Sequence, residues 1–151
     1  MIAGEPWPGA VGQRAAVLRL AAELDVEDRL RLIGFREGVE AVYAAADVIV
    51  VPSTEPDPLP AAAIEAGAAG CAVIASATGG LPEIISDGQT GRLVEPGDSA
   101  SLSRTAAELI DNSSERERLG AAAADDIRAR FDPRRLLDAL HDLYDGALDG
   151  S

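Results

Sequence analysis

Short apolar runs alternate with helical segments along the first 97 residues of the chain. The runs have the length of strands and fall at Met1–Gly4, Leu30–Gly34, Asp47–Val51, Ala72–Ala75 and Arg92–Val94. Between them lie segments with helical spacing or composition: Val11–Leu24, Val39–Ala46, a stretch from near Pro60 to Gly70, and Leu81–Ser86. This alternation predicts an α/β fold with right-handed crossovers, a Rossmann-like parallel sheet and flanking helices.

Two local features refine this pattern. The run Asp47–Val51 is almost wholly apolar, so we expect this strand to be covered on both faces. Glu5–Gly9 contains two prolines and Trp7, which predicts a loop.

Beyond Gly97 the pattern is entirely helical. Asp98 is a predicted N-cap for a helix reaching about Asp111. Ser114 and Glu117 form a predicted capping box for a second helix, which ends near Arg130. A third helix begins at Asp132-Pro133, with an apolar stripe in which we expect Tyr144 to be core rather than ligand-binding: Leu136, Leu137, Leu140, Tyr144 and Ala147. We expect one packed domain over residues 1–151, with an α/β part at 1–97 and helices at 98–151.

Composition narrows the class of protein. The formal net charge of −13 argues against binding to nucleic acid or to an anionic membrane surface. Every basic residue except His141 is arginine, so no lysine of this chain can bind a phosphate. One cysteine, Cys71, and one histidine, His141, exclude an internal disulfide and a Cys- or His-based metal cluster. The expectation for Cys71 is a small buried hydrophobe.

No window is apolar enough to span a membrane, and the N-terminus lacks the features of a signal peptide. We therefore predict a cytoplasmic protein.

The most informative stretch is the acidic loop, residues 52–60, which follows the strand Asp47–Val51. In open α/β sheets ligands bind at the carboxyl ends of the strands. The helix that follows the loop presents free N–H groups and the positive end of its dipole there, as an anion such as phosphate requires. Glu65 lies about 7–8 Å along that helix, where it could accept hydrogen bonds from the two hydroxyls of a ribose. Asp57, near the helix start, would face a sugar beyond the phosphates.

A structural explanation competes with this interpretation. Acidic residues near a helix start are stabilising without a ligand, and a glutamate on a short helix is usually solvated. On spacing alone the structural explanation is favoured. One observation opposes the structural explanation. The helix is mostly alanine and lies between two apolar strands, so a ligand is the only evident reason for Glu65 to point inward. Elsewhere, Glu83 is best explained as stabilising its own helix start, and Arg36 and Arg92 as surface residues.

Several motifs occur together and in order. Asp57-Pro58-Leu59-Pro60 through Glu65-Ala66-Gly67-Ala68-Ala69-Gly70 resembles the acidic-x7-Glu motif of the family 4 retaining glycosyltransferases, which have the GT-B fold. The resemblance covers about residues 1–145 and includes Leu32-Ile33-Gly34-Phe35, Ala44-Ala45-Ala46-Asp47-Val48, Val51-Pro52-Ser53, Thr78-Gly79-Gly80-Leu81-Pro82-Glu83, Asp87-Gly88-Gln89-Thr90-Gly91 and Pro96-Gly97-Asp98. Each motif is weak alone, but the ordered set is specific to this family's C-terminal domain.

The resemblance implies a donor site for a nucleotide-diphosphate sugar, with no separate cofactor and no metal. By it, Glu65 holds the ribose and Asp57 contacts the donor sugar or its phosphate end, and these are the two catalytic-site residues. Backbone N–H groups around Leu59 and Ala61 would meet sugar and phosphate, and the backbone near Gly34 and Phe35 would flank the base.

The motif departs from the common pattern at two positions. Asp57 replaces the usual glutamate and is one methylene shorter, while Glu55 has the wrong spacing to Glu65 to take its place. Pro60 stands in the donor-binding segment where glycine is common, and it removes one N–H group.

The resemblance also implies that parts of the enzyme are missing from this sequence. These are the N-terminal domain and the first strand–helix unit of the donor domain, which supplies an Arg and a Lys to the diphosphate. A separate chain supplying the N-terminal domain is a possible partner, and the isolated chain is expected to be inactive. In the strand order 3-2-1-4-5-6 the absent strand 1 is central, so strands 2 and 4 would pair abnormally, accept another polypeptide or leave a weakly stable fragment.

Two hypotheses from different classes remain. The first is the donor-binding part of a retaining glycosyltransferase. The second is a non-catalytic nucleotide-sugar-binding or interaction module from a truncated gene. An epimerase of the GT-B fold is a less favoured third alternative.

Overall fold

The computed structural model describes residues 1–4 and 12–149, without the side chains of Leu136 and of residues 147–149. The loop predicted at Glu5–Gly9, and the predicted apolar positions Leu136 and Ala147, lie outside the residues or side chains described. The chain divides into two compact units, Met1–Val42 and Tyr43–Ser151.

The first unit contains a small parallel sheet. Strands β1 (Ile2–Ala3) and β2 (Leu32–Gly34) pair with Ile2 opposite Leu32, and helix α1 (Gln13–Glu23) connects them. Helix α1 starts one residue after Gly12, whose φ of 98° lies in the left-handed region that favours glycine. Both predicted strands and the helix between them are confirmed, with shorter bounds. Helix α2 (Glu40–Ala44) follows and crosses the boundary to the second unit.

The second unit is a three-stranded parallel sheet with helices. Its strands are β3 (Val48–Val51), β4 (Ala72–Ser76) and β5 (Arg92–Val94), paired in that order with β4 in the centre. The helices are α3 (Ala61–Ala68), α4 (Leu81–Ile84), α5 (Ser99–Asp111), α6 (Ser113–Arg130) and α7 (Pro133–Asp149). The predicted α/β fold with a helical C-terminal segment is confirmed.

The core of the second unit forms around β4, all five residues of which are buried. Ile74 packs with apolar residues of β5, α5 and α6, among them Val94, Leu109 and Leu119. Helices α3 and α6 both contact β4 and pack on each other. Gly120 of α6 approaches the backbone so closely that a Cβ there would lie 2.9 Å from the carbonyl carbon of Gly70. The C-terminal end of α3 therefore lies directly against α6.

The structure corrects the expectation for the strand Asp47–Val51. The strand β3 is half-buried rather than covered on both faces, and Val50 is 40% exposed. Within the described residues β3 pairs only with β4, and β1 only with β2.

Two predictions for the C-terminal helices are also corrected. Asp98 caps α5 as predicted, accepting the Ser101 N–H at 2.9 Å. The capping box at Ser114 is wrong, because the N-cap lies two residues earlier, at Asn112, which accepts the Glu115 N–H at 3.1 Å. Tyr144 is 66% exposed and so is not a core residue, because nothing within the described chain covers that face of α7. None of the described helices combines the length and apolarity that a bilayer crossing requires.

Candidate functional site

The acidic loop begins where β3 ends at Val51 and leads into α3, as predicted. Asp57 is exposed, and its Oδ1 accepts the Leu59 N–H at 3.1 Å. This local turn is typical of aspartate two residues before its donor. Asp57 and the Leu59 N–H, both predicted to contact the donor, are therefore hydrogen-bonded to each other. The other carboxylate oxygen of Asp57, Oδ2, makes no hydrogen bond within the described residues.

A glycine turn, residues 78–80, contacts the backbone of the acidic loop. The Gly80 N–H donates to the Asp57 carbonyl at 2.8 Å. A Cβ on Gly79 would lie 2.6 Å from the Asp57 nitrogen, and one on Gly80 would lie 2.9 Å from the Pro58 carbonyl carbon. Gly79 also has a φ of 56°. Glycine is therefore required at both positions for the loop to pack so closely, a function that the sequence pattern did not reveal.

The start of helix α3 offers free backbone donors. Pro60 is the buried N-cap residue and has no N–H, and its carbonyl accepts the Ala63 N–H at 3.0 Å. Within the part of the chain that the structure describes, neither Ala61 nor Ala62 donates its N–H to another group. These two N–H groups, with the positive end of the helix dipole, can bind an anion. The α3 tip, residues 60–62, therefore presents two free backbone donors, and its assignment to a phosphate stays a prediction.

Glu65 lies in the second turn of α3 and is exposed, one turn from the α3 tip. Its Oε2 accepts a hydrogen bond from the Tyr43 hydroxyl at 2.8 Å. The expectation that only a ligand would explain the placement of Glu65 is therefore wrong, because Tyr43 is a partner within the protein. The Oε1 atom makes no hydrogen bond within the described residues, so it can still accept one from a ligand.

Tyr43 is the site residue that the sequence reasoning missed. The structure buries this residue, which is 9% exposed. Burial, followed by the hydrogen bond and the negative charge of Glu65, raises the pKa of Tyr43 to about 12. The phenol therefore stays protonated and acts as a donor at neutral pH. A buried tyrosine usually finds a hydrogen-bond partner, and this rule was the available signal.

Gly34 and Phe35, predicted to flank the base, belong to the first unit. Gly34 ends β2 with a φ of 67° and accepts the Gly4 N–H at 2.8 Å. Phe35 follows and is 70% exposed. An exposed phenyl ring beside a strand end could stack on a planar ligand, and the assignment of these residues to the base stays a prediction.

The remaining candidates have structural surroundings of their own. Glu83 lies in the first turn of α4, which agrees with a helix-stabilising position. Arg36 is exposed, and Arg92, whose side chain is 34% exposed, lies with its Nε 3.6 Å from Asp87 at the surface. Cys71 is buried as expected, and burial raises the pKa of its thiol. Within residues 1–4 and 12–149, no three His, Cys, Asp or Glu side chains converge as metal ligands would.

A groove of about 180 Å³ lies within the first unit, beside β1 and the start of α1. It is lined by Ile2, Ala3, Gly4, Gln13, Arg14, Val17 and Leu32. None of the predicted site residues is among these lining residues, although the lining residue Gly4 donates its N–H to the Gly34 carbonyl.

The fold defines the chain as an α/β protein with Rossmann-like parallel sheets. Residues 1–126 match the family described as "Glycosyl transferases group 1". The chain belongs to this family, as the motif resemblance predicted.

Several of the similar proteins are named as glycosyltransferases. The chain is 36% identical over 150 residues to the D-inositol 3-phosphate glycosyltransferase of Mycolicibacterium smegmatis, covering 98% of this chain and 34% of that protein. Among solved structures, Anabaena HepE in complex with UDP superposes with a TM-score of 0.91 at 24% identity, over 95% of this chain and 40% of that one. The sucrose-phosphate synthase of Thermosynechococcus elongatus gives a TM-score of 0.88 at 29% identity, covering 99% of this chain and 38% of that one. The chain thus spans about a third of the length of the curated relatives it matches.

Proposed function

We propose that this chain is the donor-binding part of a retaining glycosyltransferase and binds a nucleotide-diphosphate sugar at the α3 tip. The observation that carries the proposal is the arrangement of Asp57, the free N–H groups of Ala61 and Ala62, and Glu65 along one helix start. These groups follow the end of a parallel strand, where ligands bind in open α/β sheets. Membership of the glycosyltransferase family supports this class of ligand.

Each group has a role that its chemistry allows. The N–H groups of Ala61 and Ala62 donate to phosphate oxygens, whose charge the helix dipole favours. Glu65 Oε1 accepts from the ribose hydroxyls, and Asp57 Oδ2 contacts the donor sugar. Departure of the sugar leaves negative charge on the diphosphate, and fixed N–H donors stabilise that charge best where water is excluded.

The chain alone is expected to bind the donor without transferring its sugar. It contains no lysine, and its net charge of −13 disfavours a dianionic ligand unless local donors or further cationic groups offset it. It spans about a third of the length of the curated relatives it matches, so the acceptor and the transfer step belong to a larger assembly, formed with a further chain or with further sequence. Sugar transfer by the pure 151-residue protein would contradict this expectation.

The proposal is tested by calorimetric titration of the pure chain with UDP-sugars and GDP-sugars. Saturable binding of one of them is expected. Glu65→Ala should weaken it about tenfold or more, because hydrogen bonds to a charged group contribute about 1.5–3 kcal/mol. Glu117→Ala is the matched control, since Glu117 is also an exposed glutamate in a helix and lies outside the site. No binding at millimolar ligand, or equal losses in the two variants, would contradict the proposal.

A further inference from the structure

Tyr43 connects two segments of the second unit at the site. Its hydroxyl donates to Glu65 Oε2 at 2.8 Å, and its carbonyl accepts from Cys71 Sγ at 3.4 Å and from the Ala46 N–H at 3.1 Å. The ring is buried, whereas Glu65 is exposed. A fixed donor thus holds one oxygen of a surface carboxylate.

This contact has a consequence for the other carboxylate oxygen. A free glutamate side chain on a helix surface samples several rotamers and must be ordered when a ligand binds to it. Tyr43 restrains that motion before any ligand arrives. Because Oε2 is engaged, Oε1 is the oxygen with full acceptor capacity, and its position is set by the tyrosine.

We propose that Tyr43 is a positioning residue for donor binding: by holding Glu65 Oε2, its hydroxyl presents Glu65 Oε1 to the ribose hydroxyls. This inference rests on the proposed function and adds to it a determinant of ribose recognition outside the acidic motif. Tyr43 does not touch the ligand and acts only through Glu65. The high pKa of its phenol, about 12, supports a donor role that is constant through the physiological range.

Removing the hydroxyl alone gives a specific test. Tyr43→Phe keeps the ring and its packing but removes the donor. The affinities of UDP and of 2′,3′-dideoxy-UDP are measured for the unaltered chain and for the variant. If GDP binds more tightly than UDP, GDP and 2′,3′-dideoxy-GDP are used instead. The control is Tyr144→Phe, which removes the hydroxyl of an exposed tyrosine on α7.

The expected result is a selective loss. Tyr43→Phe should weaken binding of the ribose nucleotide about three- to tenfold, the range for ordering one flexible side chain. Binding of the dideoxy nucleotide should change less than about twofold, since the ligand then lacks the hydroxyls that Glu65 contacts. Added to Glu65→Ala, the same substitution should cause no further loss.

Each other outcome contradicts a defined claim. Equal losses for both nucleotides, no loss for either, or a Tyr43→Phe chain that fails to fold would make the hydroxyl a structural group and overturn this inference. If Glu65→Ala loses ribose binding while Tyr43→Phe retains it, the positioning role alone fails. If the unaltered chain binds neither nucleotide, the proposed function fails, and this inference fails with it.

Discussion

The Gly80 amide donates a 2.8 Å hydrogen bond to the carbonyl of Asp57 and thereby attaches the glycine turn to the acidic loop. The two residues are far apart in sequence and meet because β3 and β4 are adjacent parallel strands. The turn after β4 therefore sets the backbone of the loop after β3. The position of Asp57 depends on a residue that carries no side chain.

Replacing Gly80 should disturb the loop without removing any of its functional groups. In Gly80→Ala the added Cβ would lie 2.9 Å from the Pro58 carbonyl carbon, so the loop must shift. We expect a loss of about 1–3 kcal/mol in the free energy of unfolding, as for overpacked sites, together with weaker binding of the nucleotide sugar. Thermal unfolding and calorimetric titration measure the two effects.

The control for this substitution is Gly146→Ala, because a Cβ there meets nothing within 4 Å and the residue lies in helix α7. Alanine should be neutral or slightly stabilising at that position. If Gly80→Ala behaves like this control, the glycine turn and the acidic loop do not approach each other so closely in solution.

The capping of α6 can be tested by two neighbouring substitutions. Asn112 accepts the Glu115 N–H, so Asn112→Ala should cost about 0.5–2 kcal/mol of stability. The Ser114 hydroxyl only donates to Asn112 Oδ1, so Ser114→Ala should cost less. Denaturant unfolding of both variants gives the comparison. A larger loss in Ser114→Ala would restore the capping box that the sequence predicted.

The pH dependence of Tyr43 should reveal its contact with Glu65. Its pKa is raised from 10.0 to about 12, so the folded chain holds the phenolic proton more tightly than the unfolded chain. The associated stability is therefore complete below pH 10.0 and is lost as the pH rises through about 12. Glu65→Gln removes the carboxylate charge and should lower the pKa of Tyr43 towards its usual value.

This titration is measured by the absorbance of tyrosinate in a Tyr144→Phe background, where Tyr43 is the sole tyrosine. A Tyr43 titration that Glu65→Gln leaves unchanged would mean that the two side chains do not meet in solution.

Local patterns predicted most of the secondary structure. The strand–loop–helix unit around the acidic loop was predicted from an apolar run, alternating prolines and an alanine-rich segment ended by Gly70, which has a φ of 77°. The N-cap at Asp98 could be predicted because its hydrogen bond joins residues only three positions apart in the chain. Such features follow from local chemistry alone.

Contacts distant in sequence were not predicted. The hydrogen bond from Tyr43 to Glu65 spans 22 residues and depends on how α2 and α3 approach in space. The exposure of Tyr144 and of Val50 likewise depends on which elements cover α7 and β3. Periodicity identifies an apolar face, but it does not identify the partner of that face.

The central claim is that the α3 tip and Glu65 bind the donor, and nuclear magnetic resonance of the uniformly ¹⁵N-labelled chain tests it most directly. Addition of a UDP-sugar or a GDP-sugar should shift the amide signals of Leu59, Ala61, Ala62 and Glu65 saturably. Glu65→Ala should weaken these shifts, while Glu117→Ala should preserve them. Saturable shifts confined to residues elsewhere in the chain, or no shifts at millimolar ligand, would contradict the claim.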